Sequence, residues 1–277
     1  MMVHILLSTY NGARYLAQQL DSILAQTYTD WRLYIRDDGS SDGTVALAET
    51  YAKRDKRVVV VRDGENLGAM GSFMRLLEQQ GDADYFAFAD QDDYWAPEKI
   101  ALCVEAIQKA EAQYPDQPIV VHTDLQVVDS DLQPIAPSFW QYSNIRPDLL
   151  DRHIRYMAIC NSVTGCTMLF NAKARACAMP VTNRAFMHDA WIALMTMKHG
   201  GKVIPLYQTP ICYRQHGDNT IGATRYSVMG RTVEKRLQDA EMSYSMAHPI
   251  VYANKLQFWV WKTIYLLHRA LCPVAKS

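Results

Sequence analysis

Short apolar runs alternate with amphipathic segments through the first ninety residues of the chain. Four runs have the length and composition of buried strands, and they cover residues 3–7, 31–35, 58–61 and 85–89. Between them, apolar residues recur with the spacing of amphipathic helices, over residues 13–25, 45–52 and 70–80. Strands that alternate with helices predict βαβ units with right-handed crossovers. We therefore expect an α/β fold with a mostly parallel central sheet flanked by helices.

The pattern is less regular from residue 119 onward. Residues 119–128 predict one strand or a pair of strands, and residues 162–170 predict a further strand around Gly165. The other predicted elements are a Pro-rich, aromatic loop at 133–147, a helix from His188 to about Lys198, a short strand at 203–206, and helices at 225–247 and 254–271. No repeat, low-complexity tract or linker separates independent domains.

The composition is that of an ordinary globular protein. Of the 277 residues, 49% are apolar and 21% are charged, and the formal net charge is −1. This balance gives no indication of a nucleic-acid partner. The six cysteines form no CxxC pair and no zinc-ligand spacing, which is typical of reduced thiols in a cytoplasmic protein. The amino terminus does not resemble a signal peptide, and no eighteen apolar residues occur in a row, so we expect a soluble or peripheral protein.

An acidic motif, Asp90-Gln91-Asp92-Asp93, follows the fourth predicted strand directly. Three carboxylates within four residues repel one another, and folding alone gives no reason to collect them. A divalent cation would explain the cost, because Mg²⁺ and Mn²⁺ take oxygen ligands and are often shared with the phosphates of a substrate. The alternative is an acidic turn that caps the helix beginning near Pro97.

Polar residues also follow the other predicted strands. In open parallel sheets, ligands bind outside the carboxyl ends of the strands. The residues predicted to converge there on one crevice are Thr9, Tyr10, Asp37, Asp38, Asn66 and the acidic motif. Turn formation explains the Asp37-Asp38-Gly39-Ser40 segment equally simply.

These motifs and their order resemble family 2 glycosyltransferases of the GT-A fold. The resemblance covers about residues 3 to 222, and its motifs are Thr9-Tyr10-Asn11, residues 37–44, Asn66-Leu67-Gly68 and residues 90–95. The form of the acidic motif, together with residues 188–191 and 213–219, is similar to that of bacterial rhamnosyltransferases, which build surface polysaccharides such as the O-antigen of lipopolysaccharide. The resemblance implies a GT-A domain over residues 1–222 and a C-terminal helical extension over residues 223–277.

The resemblance also implies a role for each matching residue. Tyr10 would line the nucleotide base and Asp37 would read its edge. The implied nucleotide-sugar residues are Thr9, Tyr10, Asn11, Asp37, Asp38, Asn66, Asp90 and Arg214. The implied ligands of Mg²⁺ or Mn²⁺ are Asp92, Asp90 and His216, although His216 in a Gly/Asp/Asn loop is as compatible with a structural role. Asp189 would be the general base, and the alternative for it is a helix-capping carboxylate.

The implied reaction is metal-dependent transfer of L-rhamnose from dTDP-rhamnose, with inversion, to a saccharide or lipid-linked saccharide acceptor. Two alternatives stay open: the same chemistry with a UDP-hexose donor, and a non-catalytic nucleotide-sugar-binding protein. A Rossmann-type dinucleotide enzyme is disfavoured, because the first strand is followed by Ser8-Thr9-Tyr10-Asn11-Gly12 in place of G-x-G-x-x-G.

The last predicted helix, over residues 254–271, mixes aromatic, aliphatic and basic residues. This composition is typical of a helix that lies at a membrane surface, here the inner face of the cell membrane. Packing against the catalytic domain or a partner protein explains the same residues equally well.

Overall fold

The computed structural model describes residues 1–182, 185–217, 223 and 233–271. The strands within this part of the chain are β1 (Val3–Thr9), β2 (Trp31–Asp37), β3 (Val58–Val61), β4 (Tyr85–Asp90), β5 (Tyr94–Trp95), β6 (Ile119–Thr123), β7 (Gln126–Val128), β8 (Pro134–Ala136), β9 (Met168–Asn171), β10 (Lys202–Leu206) and β11 (Ile211–Arg214).

Helices connect most of these strands. They are α1 (Ala13–Leu24), α2 (Thr44–Arg54), α3 (Gly68–Gln79), α4 (Lys99–Gln113), α5 (Phe139–Tyr142), α6 (Pro147–Leu150), α7 (Ile154–Met157), α8 (Ala172–Ala178), α9 (His188–Lys198), α10 (Val233–Ala247) and α11 (Lys255–Leu271), with a 3₁₀ turn at Gly165–Thr167.

The central sheet has seven strands in the order β10, β6, β9, β4, β1, β2 and β3. β1 is parallel to both β2 and β4, whereas β9 is antiparallel to its neighbours β4 and β6. The register pairs Thr9 with Asp37 and Ser8 with Asp90. The carboxyl ends of these strands therefore meet at one edge of the sheet, as the strand order required.

Alternate residues of the strands enter two separate hydrophobic layers, as the pleat of a strand dictates. In β1, Leu6 packs in the layer that α3 and α9 cover, and Ile5 and Leu7 pack in the layer that α1, α2 and α4 cover. Both layers are built from side chains with little or no exposure. Because helices cover both faces of the sheet, its strands are buried on both sides and consist largely of apolar residues.

A second sheet has four strands in the order β5, β11, β7 and β8, and two of them, β5 and β7, follow the carboxyl ends of β4 and β6 in the chain. β5 follows the acidic motif directly and pairs with β11, where Cys212 lies opposite Tyr94. This pairing brings the end of β11, with Arg214, next to the acidic motif although more than a hundred residues separate them.

The predicted fold class is confirmed: the sheet is mostly parallel and helices flank it on both sides. Residues 119–128 form a pair of strands, and these belong to different sheets. The acidic motif does not cap a helix, because β5 intervenes and α4 begins only at Lys99 without a side-chain cap.

Two sequence predictions were wrong in detail. The strand expected over residues 162–170 begins only at Met168, because Gly165–Thr167 form a 3₁₀ turn beside the His188 ring. The loop expected over residues 133–147 contains β8 and α5, and the Ser138 hydroxyl caps α5 by accepting a hydrogen bond from Gln141 N. The prolines of residues 133–147 led to the prediction of a loop there in place of β8 and α5.

The predicted C-terminal helices are present as α10 and α11. Ala240, Met246, Phe258 and Tyr265 enter the same hydrophobic layer as Leu6. Residues 225–232 of the predicted helix lie outside the described part of the chain, as does the predicted boundary at residue 222. Among the described helices, none combines the length and the apolar character needed to cross a membrane.

Candidate functional site

The first loop, residues 10–12 between β1 and α1, has its backbone N–H groups bound by side chains from other loops. Asn11 N donates to Ser40 Oγ at 2.8 Å and Gly12 N to Thr44 Oγ1 at 2.8 Å. Tyr10 N donates to Gln91 Oε1 at 2.9 Å. The Tyr10 ring is 53% exposed. The loop is therefore held rigidly by its backbone while it presents one aromatic face to solvent.

The carboxylate of Asp37 is surrounded by donors. Oδ1 accepts from the hydroxyls of Thr9 (2.9 Å) and Ser40 (2.5 Å), and Oδ2 accepts from Gly39 N (3.1 Å) and Ser40 N (2.8 Å). Four donors match the acceptor capacity of an ionised carboxylate. A nucleobase N–H would have to replace one of them, and the hydroxyl donors of Thr9 and Ser40 can turn away most easily. Base reading by Asp37 stays a prediction.

Asp38 is buried and connects the end of β2 to the start of α3. It accepts from Arg36 Nη1 at 2.6 Å, and from Leu67 N and Gly68 N, at the start of α3, at 2.7 and 2.8 Å. Asn66 Nδ2 donates to the Asp38 carbonyl at 2.7 Å. Asp38 and Asn66 therefore fix the loop after β2 to the loop between β3 and α3. The predicted contact of Asp38 or Asn66 with the nucleotide sugar stays a prediction. Asp38 is almost fully buried and offers little surface for such a contact.

Two carboxylates of the acidic motif face the edge of the sheet. Burial, together with the charges of Asp92 and Asp189, raises the pKa of Asp90 to about 7. Asp92 Oδ2 lies 2.8 Å from His216 Nε2, and the His216 ring packs against Tyr15 with centroids 4.8 Å apart. The structure therefore brings together all three predicted metal ligands: Asp90, Asp92 and His216.

The third carboxylate points into the protein. Asp93 is fully buried, and its pKa is raised well above the usual range by burial and by the charges of Asp90 and Asp92. Ligand atoms of Asp90, Asp93 and Cys166 lie within 4.8 Å of one another. Beneath them the buried Lys99 ammonium lies 3.6 Å from the centroid of the Trp95 ring. Asp93 and Cys166 are closed to solvent, whereas Asp90 is partly exposed, so of these three residues only Asp90 has surface for a cation shared with a substrate.

Arg214 is 1% exposed, and its guanidinium donates to three segments of the chain. The acceptors are the Asp92 carbonyl at 2.7 Å, the Ser130 carbonyl at 2.5 Å and Gln18 Oε1 at 2.7 Å. In this conformation Arg214 has no surface for a diphosphate. The predicted contact of Arg214 with a diphosphate stays a prediction, and in this conformation the guanidinium anchors the acidic motif.

Asp189 lies in the first turn of α9 at the rim of the same region. Its Oδ1 accepts from Ala190 N at 2.5 Å, and burial raises its pKa to about 6. The preceding His188 is buried against Phe73 and Phe88, with ring centroids 4.4 and 4.6 Å away. Burial lowers the pKa of His188 to about 3, so its imidazole is neutral at physiological pH. A Cβ atom at Gly165 would lie only 2.4 Å from His188 Nε2, which explains the glycine.

Comparison with known proteins identifies the family. The model for "Glycosyl transferase family 2" matches residues 4–175. The chain belongs to this family. TuaG of Bacillus subtilis, described as a teichuronic acid biosynthesis glycosyltransferase, is 35% identical over 104 residues, which are 38% of this chain and 41% of TuaG. The dTDP-rhamnosyl transferase RfbG of Shigella flexneri is 31% identical over 105 residues, 36% of each chain. This family 2 chain thus aligns with less than half of either relative.

Solved structures share the fold. Staphylococcus aureus TarS 1–349 in complex with UDP-GlcNAc superposes with a TM-score of 0.64 at 16% identity, over 98% of this chain and 73% of that one. The mannosyltransferase PcManGT of Pyrobaculum calidifontis, in complex with GDP-Man and Mn²⁺, gives a TM-score of 0.56 at 15% identity, over 98% and 76%. The family 2 chain therefore has the GT-A fold.

The open part of the acidic motif suits Mg²⁺ or Mn²⁺. Both Asp90 and Asp92 keep partial exposure at the edge of the sheet, and burial together with the charges of Asp92 and Asp189 raises the pKa of Asp90. Carboxylate oxygens with an adjacent imidazole are a suitable donor set for either ion. In this family 2 chain, Asp90, Asp92 and His216 would hold it.

Sequence reasoning missed three residues of the site. Arg36 is a fully buried cation that joins Asp38 to Asp63, and its position inside an apolar strand was the signal. Gln91 was overlooked between its acidic neighbours, although its amide contacts the first loop. Lys99 opens α4 in a fully buried position, and nothing local in the sequence indicates that burial.

Proposed function

We propose that this chain is an inverting glycosyltransferase that moves a sugar from a nucleotide diphosphate to a saccharide acceptor. The observation that carries the proposal is the convergence of distant carboxylates at one edge of the sheet. Thr9 connects to Asp37 by a hydrogen bond, Tyr10 connects to Gln91 of the acidic motif, and the charge of Asp189 raises the pKa of Asp90. A crevice for a nucleotide diphosphate and its cation requires this arrangement.

On the donor side, the exposed Tyr10 ring would stack on the base, with Thr9, Asn11 and Asp37 beside it. Asp90, Asp92 and His216 would hold Mg²⁺ or Mn²⁺, whose charge neutralises the diphosphate as it leaves. Arg214 would keep the Asp92 backbone in place and would not touch the donor. Asp38 and Asn66 would support the wall of the crevice from below.

On the acceptor side, Asp189 would remove the proton from the attacking hydroxyl. Its carboxylate is fixed by Ala190 N at the start of α9. With one base and attack on the face opposite the diphosphate, the displacement inverts the anomeric centre in a single step. The neutral His188 ring behind it would exclude water and keep the first turn of α9 in position.

The activity is expected to rise with pH through a limb near pH 6. A base acts only when ionised, and burial raises the pKa of Asp189 to about 6, so protonation below that pH removes the active form. The measurement is kcat between pH 5 and 8 at saturating donor and Mn²⁺, where bound metal keeps the acidic motif ionised. Asp189→Glu should shift the limb, and a flat profile in the wild type would contradict the assignment.

For the donor we favour L-rhamnose on dTDP. The support is the form of the acidic motif and the alignment with RfbG, a dTDP-rhamnosyl transferase. The second candidate is a UDP-sugar, which the TarS complex with UDP-GlcNAc favours. A thermal-shift screen against dTDP-rhamnose, UDP-glucose, UDP-galactose and UDP-GlcNAc, with and without Mn²⁺, separates the two. Stabilisation by none of these nucleotide sugars would reject the proposed function.

We further propose that α11 docks the protein on the cytoplasmic face of the membrane, where a lipid-linked acceptor would lie. One side of α11 packs into the protein through Phe258 and Tyr265. The outer stripe of α11 is apolar and exposed, and it comprises Leu256 (73%), Trp259 (43%), Val260 (48%), Leu267 (56%) and Leu271 (76%). A helix that is apolar on both sides needs a second apolar environment.

Trp259→Ser is expected to release the protein from lipid. Loss of one large apolar side chain from a membrane interface should weaken partitioning about tenfold or more. The measurement is flotation with vesicles that contain phosphatidylglycerol. Ile135→Ser is the matched control, since Ile135 is 48% exposed on β8, far from α11 in sequence. Equal flotation of Trp259→Ser and wild type would favour a protein partner for the stripe.

A further inference from the structure

Gln91 is the one member of the acidic motif without a charge, and its side chain points away from the motif. Its Oε1 accepts from Tyr10 N at 2.9 Å, and its Nε2 donates to the Tyr10 carbonyl at 3.0 Å. The amide therefore binds both backbone groups of a single residue in the first loop. Such a reciprocal pair fixes distance and orientation together, much as one step of a strand ladder does.

Gly12 leaves the space that this contact requires. A Cβ atom there would lie 2.0 Å from Gln91 Oε1 and 2.4 Å from Gln91 Cδ. Gly12 has φ −102° and ψ 8°, a backbone conformation that other residues also adopt. Glycine is therefore needed at this position for room rather than for backbone freedom.

The other anchors of the first loop come from a different place. Asn11 N and Gly12 N are bound by Ser40 and Thr44, both from the segment after β2. Gln91 is the anchor that comes from the acidic motif, and it holds the residue whose aromatic ring is exposed. Asp90 and Asp92, its sequence neighbours, are the carboxylates that face the edge of the sheet.

We propose that Gln91 is a positioning residue that fixes the base-binding face of Tyr10 relative to the cation-binding carboxylates. This inference rests on the proposed function, because it assumes that Tyr10 contacts a nucleobase. Tyr10 must contact the base while the acidic motif holds the cation at the diphosphate of the same nucleotide sugar. The first loop and the acidic motif therefore need a fixed spacing. Gln91 sets that spacing without touching the donor.

Gln91→Ala and Gln91→Met test the contact with nucleotide diphosphates as probes. Removing two hydrogen bonds that order the loop should weaken binding of dTDP or UDP, with Mn²⁺ present, about tenfold. Methionine retains the volume and loses the amide, so an equal loss in both variants assigns the effect to the hydrogen bonds. Isothermal titration calorimetry provides the affinities. Inorganic pyrophosphate with Mn²⁺ should bind both variants as it binds wild type, because it has no base.

Gly12→Ala separates positioning from a merely structural role. The added methyl should displace the Gln91 amide, so this variant should melt at a lower temperature and bind dTDP weakly. In Gly12→Ala/Gln91→Ala the steric conflict is gone. The melting temperature should then recover while nucleotide binding stays weak.

The outcomes distinguish the two levels of the proposal. If wild type binds neither dTDP nor UDP with Mn²⁺, the proposed function fails. If wild type binds one of them and the Gln91 variants bind it equally well, the positioning role of Gln91 is overturned. Equal weakening of pyrophosphate and nucleotide would overturn it as well, because Gln91 would then act on the cation site.

Discussion

Asp189→Asn is expected to lower kcat by roughly 10²–10⁴-fold, the usual contribution of a positioned general base. Asparagine has the shape of aspartate, and its oxygen can still accept from Ala190 N, so α9 should keep its first turn. The amide cannot take the proton of the acceptor hydroxyl. Steady-state kinetics of sugar transfer, with the donor identified by the thermal-shift screen, provides the measurement.

Nucleotide binding by Asp189→Asn distinguishes loss of the general base from loss of the fold. The affinity of Asp189→Asn for nucleotide and Mn²⁺ should stay close to that of wild type, because the proposed role of Asp189 is toward the acceptor. Asp116→Asn is a control for the same chemical change at an exposed site, where Asp116 pairs with Lys173. Turnover of Asp189→Asn near the wild-type rate would remove Asp189 from the mechanism.

Asp92→Ala is expected to abolish cation-dependent nucleotide binding. Asp92 is the carboxylate that faces both the edge of the sheet and His216. Changing residues that merely orient metal ligands typically costs 10–100-fold in affinity, and loss of a ligand should exceed about 100-fold. Titration of Mn²⁺ by electron paramagnetic resonance measures the free ion directly, and dTDP binding with and without Mn²⁺ gives the consequence.

A matched variant at Asp93 tests the location of the cation. Asp93 is fully buried beside Cys166, so Asp93→Asn should retain Mn²⁺ affinity if the ion lies at Asp90 and Asp92. Retention of Mn²⁺ by Asp92→Ala combined with its loss in Asp93→Asn would move the site into the buried cluster. Mg²⁺ and Mn²⁺ prefer harder ligands than the thiol of Cys166. We therefore expect Asp93→Asn to retain Mn²⁺ affinity and Asp92→Ala to lose it.

The location of the site could be predicted from the sequence because it depends on local patterns. Apolar runs identify the strands, and the rule for parallel sheets brings Thr9, Asp37 and Asp90 to one edge. The register then pairs Thr9 with Asp37, and Ser8 with Asp90. The family resemblance added Asp189 and His216, which local patterns alone do not connect to that edge.

The internal contacts of the site could not be predicted in the same way. Arg214 was expected to meet a diphosphate, yet its partners lie 84, 122 and 196 residues away in sequence and enclose it. The Gln91 amide reaches Tyr10 across 81 residues. Packing of the whole chain decides which hydrogen-bond donor meets which hydrogen-bond acceptor at such separations. Neither the spacing of residues nor their secondary-structure propensity predicts these pairs.

The contact of Arg214 with the acidic motif means that an early part of the chain depends on a residue that is synthesised much later. The amino-terminal half of the chain contains β1 to β4 and the acidic motif, but the guanidinium that holds the Asp92 carbonyl belongs to β11. Synthesis proceeds from the amino terminus, and a domain generally folds as a unit. A nascent chain that stops before residue 214 therefore lacks the guanidinium that holds the acidic motif, so the proposed cation loop can be completed only after β11 has been made.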